Sequence, residues 1–378
     1  MKKKIKILYV IDHFDTPSGG SEGQLYNLIK NLDKGTFQPE VCLFRFINNY
    51  FLEHDFPCPF TNFEITSFRK PQAYINLLKL RKYIKERGYD IVQVLFNDAA
   101  LSVPLVTAGL GVKTVATRRD MGFWYTPTRL RILRRLAPLT DAYLVNSKTV
   151  MGNIIEKERV PSSKVRVIYN AHNMDRFNAK IRSDFLSQHG IPIGSCIVGI
   201  VSNLRPVKRV CDLIRAFPSV LKECNDAYLV IVGDTGIYYQ ECIDMIRDLG
   251  IQDRAKILGA IDSDSIVSCM KWFNVGVLCS ESEGLSNVII EYMGSGVPVV
   301  ATDIPSNREL IDNGTSGMLY SVGNIRELSK EVARLLKDEQ LRTSLTQHSR
   351  RQITERFGES NIMQQYQEFY IHLARGNE

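Results

Sequence analysis

"VGVLCSESEGLSNVIIEYMGSGVPVVAT" occupies residues 275–302, and its reading decides the fold. An apolar run, 275–280, passes through a polar stretch, resumes with helical spacing from Ser286, and closes on a second β-branched run, 297–302. Buried strand, crossover helix and buried strand form the unit of a parallel sheet, because parallel neighbours need such a crossover. Ser286 reads as the helix N-cap, and Gly294 with Gly296 as its stop.

The same stretch carries two acids, Glu283 and Glu291, around a helix start. The amides of Gly284, Leu285 and Ser286 form an anion seat there, where unpaired N–H groups and the helix dipole favour negative charge. A carboxylate at 283 would repel that anion if it faced it. It makes sense as an acceptor for neutral hydroxyls of a sugar attached to a phosphate, and Glu291 as the acceptor for a ribose diol; a capped helix with two solvated acids is the other reading of the same residues.

Outward from this unit the alternation continues. In the first half, strands are expected at 4–12, 39–46, 90–96, 113–118, 142–147 and 164–170, with helices at 22–33 and 74–88. The pattern lapses between Asn173 and Gly194, then restarts with strands at 196–202, 227–234, 256–259, 275–280 and 297–302. From about 324 onward the tail reads as helix. The architecture expected is α/β: two Rossmann-like domains with parallel sheets facing a central cleft, residues 1–178 and 179–358. Ligands of such sheets lie beyond the carboxyl ends of the strands.

Composition bounds the class. At 378 residues, 44% hydrophobic and 24% charged, the chain reads as a globular protein of two ordinary domains, without a membrane span. The start "MKKKIKILYVID" reads as a first strand rather than a signal peptide, and the chain is expected to be cytoplasmic. Eight cysteines without a CxxC pair read as reduced, mostly buried thiols. Residues 1–180 hold 28 Lys and Arg against 16 Asp and Glu; residues 181–378 hold 20 against 25. A basic first half suits an anionic partner.

Further constellations follow strand ends. In "VSNLRPVKRV" (201–210), Arg205, Lys208 and Arg209 suit a pyrophosphate clamp that offsets charge on a departing nucleotide. In "TPSGGSEG" (16–23), Gly19 and Gly20 let backbone approach a ligand, and the GxGxxG dinucleotide fingerprint is absent. Asp262-Ser263-Asp264 spells a metal-binding DxD but precedes a helix, where these residues cap. In "TPTRLRILRRLAPLTDAY" (126–143), Arg129, Arg131, Arg134 and Arg135 alternate with leucines and isoleucine. The spacing permits a basic amphipathic helix lying on an anionic membrane surface, or a solvated surface helix. A nucleic-acid partner is not expected.

Together the ordered segments resemble the retaining glycosyltransferases of family 4 (group 1), which have the GT-B fold. The segment 280–303 resembles their E-x7-E motif, "SGGSEGQLYNLIKNL" their amino-terminal GG-x-E segment, and "VIYNAHNMDRF" their interdomain turn. "VSNLRPVKRVCDLIRAF" resembles their donor-phosphate loop, and "LVIVGD" and "KILGAID" later strand ends. The resemblance implies sugar transfer from a nucleotide-sugar donor, UDP-linked, to a hydroxyl of a glycan or lipid-linked saccharide. It implies retention of configuration, no metal and no cofactor, and a last helix, 359–378, packed on the first domain. By carry-over Glu283 meets the donor sugar, the backbone of Gly284, Leu285 and Ser286 its phosphate, Glu291 the ribose, and Lys208 the diphosphate. Gly259 and Ala260 meet the base, and Gly19 and Gly20 approach the reaction centre. Where the family reads Gly-Arg-Leu, this chain has Ser202-Asn203-Leu204, with Arg205, two places later, as the candidate to replace the arginine and its reach left open. Its usual His-Asp is Arg119-Asp120 here, leaving Asp120 as a donor-sugar or acceptor ligand or as a structural residue, and Ala171-His172-Asn173 stands where Gly-Val-Asp is usual. A non-catalytic nucleotide-sugar-binding subunit and a nucleotide-sugar epimerase stay open as alternatives.

Overall fold

The computed structural model describes residues 3–16, 20–47, 55–178, 180–181, 184–233, 236 and 238–376, apart from the side chains of residues 263 and 264. The chain divides into two compact units, Met1–Ala171 with Glu359–Glu378, and His172–Gly358. The break precedes the expected residue 178 because Phe177 packs in the second unit. Its ring lies where a Cβ on Gly294 would be, 2.5 Å from that position.

In the first unit the described elements run β1 (Ile5–Ile11), α1 (Gly20–Asn31), β2 (Phe37–Leu43), β3 (Phe60–Asn62), α2 (Pro71–Arg87), β4 (Ile91–Leu95), α3 (Asn97–Thr107), β5 (Lys113–Arg118), α4 (Pro127–Leu136), β6 (Ala142–Val145), α5 (Lys148–Glu158) and β7 (Val165–Val167). The strands order as β3-β2-β1-β4-β5-β6-β7, and every pair is parallel. Residues of β4 are buried throughout, as a strand covered on both faces requires. α2 starts on Pro71, whose missing N–H costs nothing there, and stops at Gly88 in the left-handed region.

The C-terminal helix, Glu359–Arg375, belongs to this first unit. It places Ile362, Met363, Tyr366 and Tyr370 in one hydrophobic cluster with Ile7, Tyr9 and Phe37. The Tyr370 hydroxyl donates to Gln93 Oε1 at 2.7 Å, and Gln93 Nε2 donates to Thr117 Oγ1 at 3.0 Å. The one amide in the apolar strand β4 is thereby satisfied.

The second unit continues with β8 (Cys196–Val201), α6 (Val210–Glu223), β9 (Ala227–Val232), α7 (Tyr239–Asp248), β10 (Ala255–Ile257), α8 (Ser263–Met270), β11 (Val275–Leu278), α9 (Asn287–Gly294), β12 (Val299–Thr302), β13 (Met318–Tyr320), α10 (Ile325–Lys337) and α11 (Glu339–Phe357). Its strands order as β10-β9-β8-β11-β12-β13, again all parallel. Residues 275–302 form β11-α9-β12, with Gly276 opposite Val299. Glycines in two central strands make room for aromatic rings. A Cβ at Gly199 would sit 2.0 Å from the Phe273 ring, and one at Gly276 2.8 Å from that of Tyr292.

The eight cysteines are unpaired, four buried and four half-buried. Among the described residues, no helix is long and apolar enough to cross a membrane.

Replacing Tyr370 by Phe removes the donor to a buried amide oxygen and should cost about 1–3 kcal/mol. Urea unfolding reads this as a lowered midpoint for the first unit; an unchanged midpoint would show that Gln93 finds another partner.

Candidate active site

The carboxyl ends of β8, β9, β10 and β11 open at one edge of the second sheet, and the loops leaving them are knitted by backbone hydrogen bonds. Ser202 N donates to Val232 O at 2.8 Å, Gly233 N to Gly259 O at 3.0 Å, and Glu281 N to Val207 O at 3.0 Å. Gly233 is required at this crossing, because an added Cβ would fall 1.9 Å from the Ser202 carbonyl oxygen. Gly259 has φ +73, a conformation that other residues rarely adopt.

Between the loops after β8 and β11 lies the central contact. Lys208 Nζ is 2.6 Å from Glu283 Oε1, with the side chains 25% and 12% exposed. Lys208 ends a short 3-10 turn, Pro206–Lys208, which Arg209 leaves with a left-handed φ of 49°. Arg209 pairs with Asp212 at 2.7 Å and with Glu281 at 3.5 Å. Two of the three clamp cations are thus matched by acids, and the third, Arg205, remains exposed. Asn203 is exposed too, its carbonyl accepting from Arg205 N at 2.9 Å. Ala260 follows Gly259 at the exposed end of the β10 loop. Arg205, Arg209, Arg215, Cys211 and Tyr238 line a cavity of about 180 Å³ on the α6–α7 side.

Gly284, Leu285 and Ser286 sit buried at the start of α9. Ser286 occupies the N-cap position, but its side chain does not cap the helix. The hydroxyl instead donates to Asn307 Oδ1 at 2.6 Å, Asn307 Nδ2 donates to Thr302 O at 2.9 Å, and Thr302 Oγ1 to Ser280 O at 2.5 Å. All four residues are buried, so the chain of bonds fixes the 280–286 loop from below. Tyr292 ties α9 to the end of β8, its hydroxyl accepting from Val201 N at 2.8 Å. Neither Asn307 nor Tyr292 was marked by local sequence spacing.

Glu291 is half-buried on α9, 3.7 Å from the Arg176 guanidinium. Burial raises its carboxyl above the ordinary value, and Arg176 pulls it back. His172 does not stand in solvent. It is 7% exposed, stacked on Phe177, and burial lowers its pKa to about 4, so it is neutral at pH 7. Asp262 caps α8, its Oδ1 accepting Ser265 N at 2.9 Å, while the Asp264 side chain falls outside the described residues.

In the first unit the strand ends after β1, β4 and β5 form a small cavity of about 60 Å³ lined by Ser21, Phe96, Asn97, Arg119, Asp120 and Trp124, among others. Gly20 opens α1 with φ +60, and Gly19 lies outside the described residues. Asp12, at the end of β1, accepts the amides of Asn97, Asp98 and Ala99 at 3.1, 2.9 and 2.7 Å, which caps α3. Its carboxyl is 3% exposed, and burial pushes it up to about 6 despite those bonds. Asp120 is exposed, and its Oδ1 accepts Gly122 N at 2.6 Å, closing a tight turn. Arg119 donates to Asn170 Oδ1 at 2.6 Å and to the Tyr366 hydroxyl at 3.1 Å. Arg118 forms a buried bidentate pair with Glu158 at 2.7 and 3.0 Å. In α4, Leu133 and Leu136 are buried in the unit, so its apolar face points inward. Arg129 donates to Trp124 O and Arg134 to Lys157 O, while Arg131 and Arg135 stay exposed.

Two family models match the chain: Glycosyltransferase Family 4 over residues 18–176, and Glycosyl transferases group 1 over residues 181–352. N-acetyl-alpha-D-glucosaminyl L-malate synthase of Bacillus anthracis is 29% identical over 58% of this chain and 56% of its own length. N-acetylgalactosamine-N,N'-diacetylbacillosaminyl-diphospho-undecaprenol 4-alpha-N-acetylgalactosaminyltransferase of Campylobacter jejuni is 27% identical over 56% of this chain. The match spans 55% of that relative, so little more than half the length of either protein is covered. The crystal structure of Anabaena Alr3699/HepE in complex with UDP and glucose superposes with a TM-score of 0.81 over 97% of this chain and 99% of that one. At 23% identity it shows a shared fold.

Two substitutions test this geometry. Gly233→Ala forces the Ser202 and Gly233 strands apart and should lower the unfolding midpoint by an amount worth about 1–3 kcal/mol; an unchanged midpoint would mean the loops part without cost. For Asp12 the folded pKa lies above the unfolded value, so ionisation opposes folding. Its stabilising share is present below about pH 4 and is lost as pH rises through about 6. The stability difference between wild type and Asp12→Asn should therefore drift by up to ~3 kcal/mol across that window; a flat difference would refute the shift.

Proposed function

Because the chain belongs to the group 1, family 4 glycosyltransferases, with two parallel-sheet domains of the GT-B kind, we propose that it moves a hexosyl or N-acetylhexosaminyl group from a UDP-sugar to an acceptor hydroxyl. The acceptor in this reading is a glycan or lipid-linked saccharide, in polysaccharide or glycolipid biosynthesis, on the cytoplasmic side of a membrane. Configuration is retained and no metal takes part. Support comes from the Anabaena structure's UDP and glucose and from the N-acetylhexosamine groups and the diphospho-undecaprenol in the relatives' names.

One observation carries the reading: Lys208 and Glu283 hold each other across two loops beside the α9 N-terminus. A donor diphosphate, bound to the 284–286 backbone and to Arg205, competes for Lys208. As Lys208 shifts to phosphate, Glu283 is released to accept from sugar hydroxyls, which are neutral and do not repel it. Glu291 accepts the ribose diol, and the backbone at Gly259–Ala260 faces the base. The bond from the anomeric carbon to the diphosphate oxygen breaks while the acceptor oxygen bonds the same face. The acceptor proton passes to the leaving phosphate, so the protein supplies position and charge.

The test is thermal stability with UDP-, GDP-, ADP- and CDP-sugars in EDTA, repeated on Glu291→Ala and Lys208→Ala. A ligand at one hundred times its Kd adds about 2.7 kcal/mol to the native state. The expected result is a uridine-selective rise that shrinks in both variants, and nucleotide release only when an acceptor is supplied. No rise with any donor would refute the donor site, and a rise abolished by EDTA would refute metal independence. An inverted anomer in the product would overturn retention.

A further inference from the structure

Two thiols of the second unit face each other close to the donor loops, and the reaction above uses neither. Cys211 is the second residue of α6, Cys242 lies on α7, and their sulfurs are 4.0 Å apart. A disulfide needs about 2.05 Å between sulfurs, so a closure of about 2 Å separates the pair from the bond. Access is unequal. Cys242 is 1% exposed, whereas Cys211 is half-buried and lines the cavity of about 180 Å³ with Arg205, Arg209, Arg215 and Tyr238. A small oxidant entering there meets Cys211 first, with Cys242 shielded behind it.

Charge favours the same division of roles. The Cys242 S–H and the Arg215 guanidinium lower the Cys211 pKa against burial, Asp212 and Glu241, whose Oε1 lies 3.9 Å from its sulfur. Cys242 is pushed the other way by Cys211 and by burial. The thiolate is the attacking form, so Cys211 is the nucleophile and Cys242 the resolving thiol. Position supplies the consequence. Cys211 follows Arg209 by two residues, where the backbone leaves the Lys208 turn with a left-handed φ of 49°. Arg209 pairs with Asp212, next to Cys211, and with Glu281 in the facing loop. A bond that draws the first turn of α6 toward α7 therefore pulls on the loop that holds Lys208 against Glu283.

We propose that Cys211 and Cys242 are a reversible, peroxide-sensitive pair whose disulfide loosens the Lys208 loop and weakens its hold on a nucleotide. The Cys211 thiolate attacks one oxygen of a hydroperoxide, the O–O bond breaks, and the departing oxygen takes up a proton to leave as water or an alcohol. Cys211 is then a sulfenic acid. The Cys242 sulfur displaces its hydroxyl, which leaves as water with the Cys242 proton, and the S–S bond forms. Two thiols have lost two electrons and the peroxide has gained them. A small dithiol reverses the step by exchange. The effect on nucleotide rests on the proposed function; the disulfide and the loosened loop do not.

The experiment treats the full chain with a small excess of hydrogen peroxide and maps disulfides by mass spectrometry of unreduced peptides. The expected product is one bond joining residues 211 and 242, undone by dithiothreitol. Cys211→Ser should form no such bond, and Cys242→Ala should stop at a sulfenic acid on residue 211 that dimedone traps. In the oxidised wild type, amide hydrogen exchange over residues 203–210 should speed up, and the UDP Kd should rise roughly tenfold. Peroxide-treated Cys211→Ser should show neither change. No disulfide, or a first disulfide elsewhere among the eight cysteines, would overturn the proposal. So would a 211–242 bond that leaves the exchange of residues 203–210 unaltered, or one that leaves UDP affinity unaltered in a protein that binds UDP when reduced. Reduced wild type that binds no UDP would strike the proposed reaction, while peptide mapping and hydrogen exchange would still decide this inference.

Discussion

Parallel pairing is the constraint on which the rest depends. In each unit every strand ends at the same edge, so every loop that follows a strand is delivered there, whatever its length. Loop amides crowded at such an edge must still find partners. In the second unit they find one another, at Ser202–Val232, Gly233–Gly259 and Val207–Glu281. Side chains inherit their positions from that mesh. Lys208 meets Glu283 because Val207 is already bonded to Glu281, not because the two residues are near in sequence.

This division explains what could be read beforehand. Strands covered on both faces are continuous apolar runs, so β1, β4, β8, β9 and β11 announced themselves and the sheet class with them. Their carboxyl ends did not. Cys279 and Ser280 are as buried as the strand before them, which made the run look longer than Val275–Leu278. Ser286 followed the rule for an N-cap and yet bonds Asn307, because a buried amide far along the chain offers it a stronger, fixed partner. Nothing in the spacing of 280–303 points to residue 307. The same holds for the glycine–aromatic pairs, Gly199 with Phe273 and Gly276 with Tyr292. A glycine in a strand reports that something approaches, without naming it.

Charge placement sorts the candidates further. Two opposite charges 12% and 25% exposed attract more strongly than a surface pair, and neither is so deeply buried that separation is prohibitive. That middle range is what a ligand exchange needs: a diphosphate can replace a carboxylate on Lys208 if the freed carboxylate is met by hydroxyls. Arg118 with Glu158 shows the opposite extreme. At 6% and 0% exposure, with two hydrogen bonds between them, neither partner is available to a ligand. Deep burial turns a charge pair into a structural brace, and partial burial leaves it exchangeable.

The basic surplus of the first half divides by the same rule. Arg118 and Arg119 hold β5 to α5 and to the C-terminal helix, and Arg81 donates to the Val106 and Ala108 carbonyls at the end of α3. These cations answer to the fold. Those on the outer faces of α2 and α4 stay in solvent, where desolvation costs little. A sequence count cannot separate the two sets, since both appear as Arg among apolar residues. Burial separates them: a charge inside the unit must be paired, so the unpaired surplus collects at the surface, and its neighbours there decide which partner it suits.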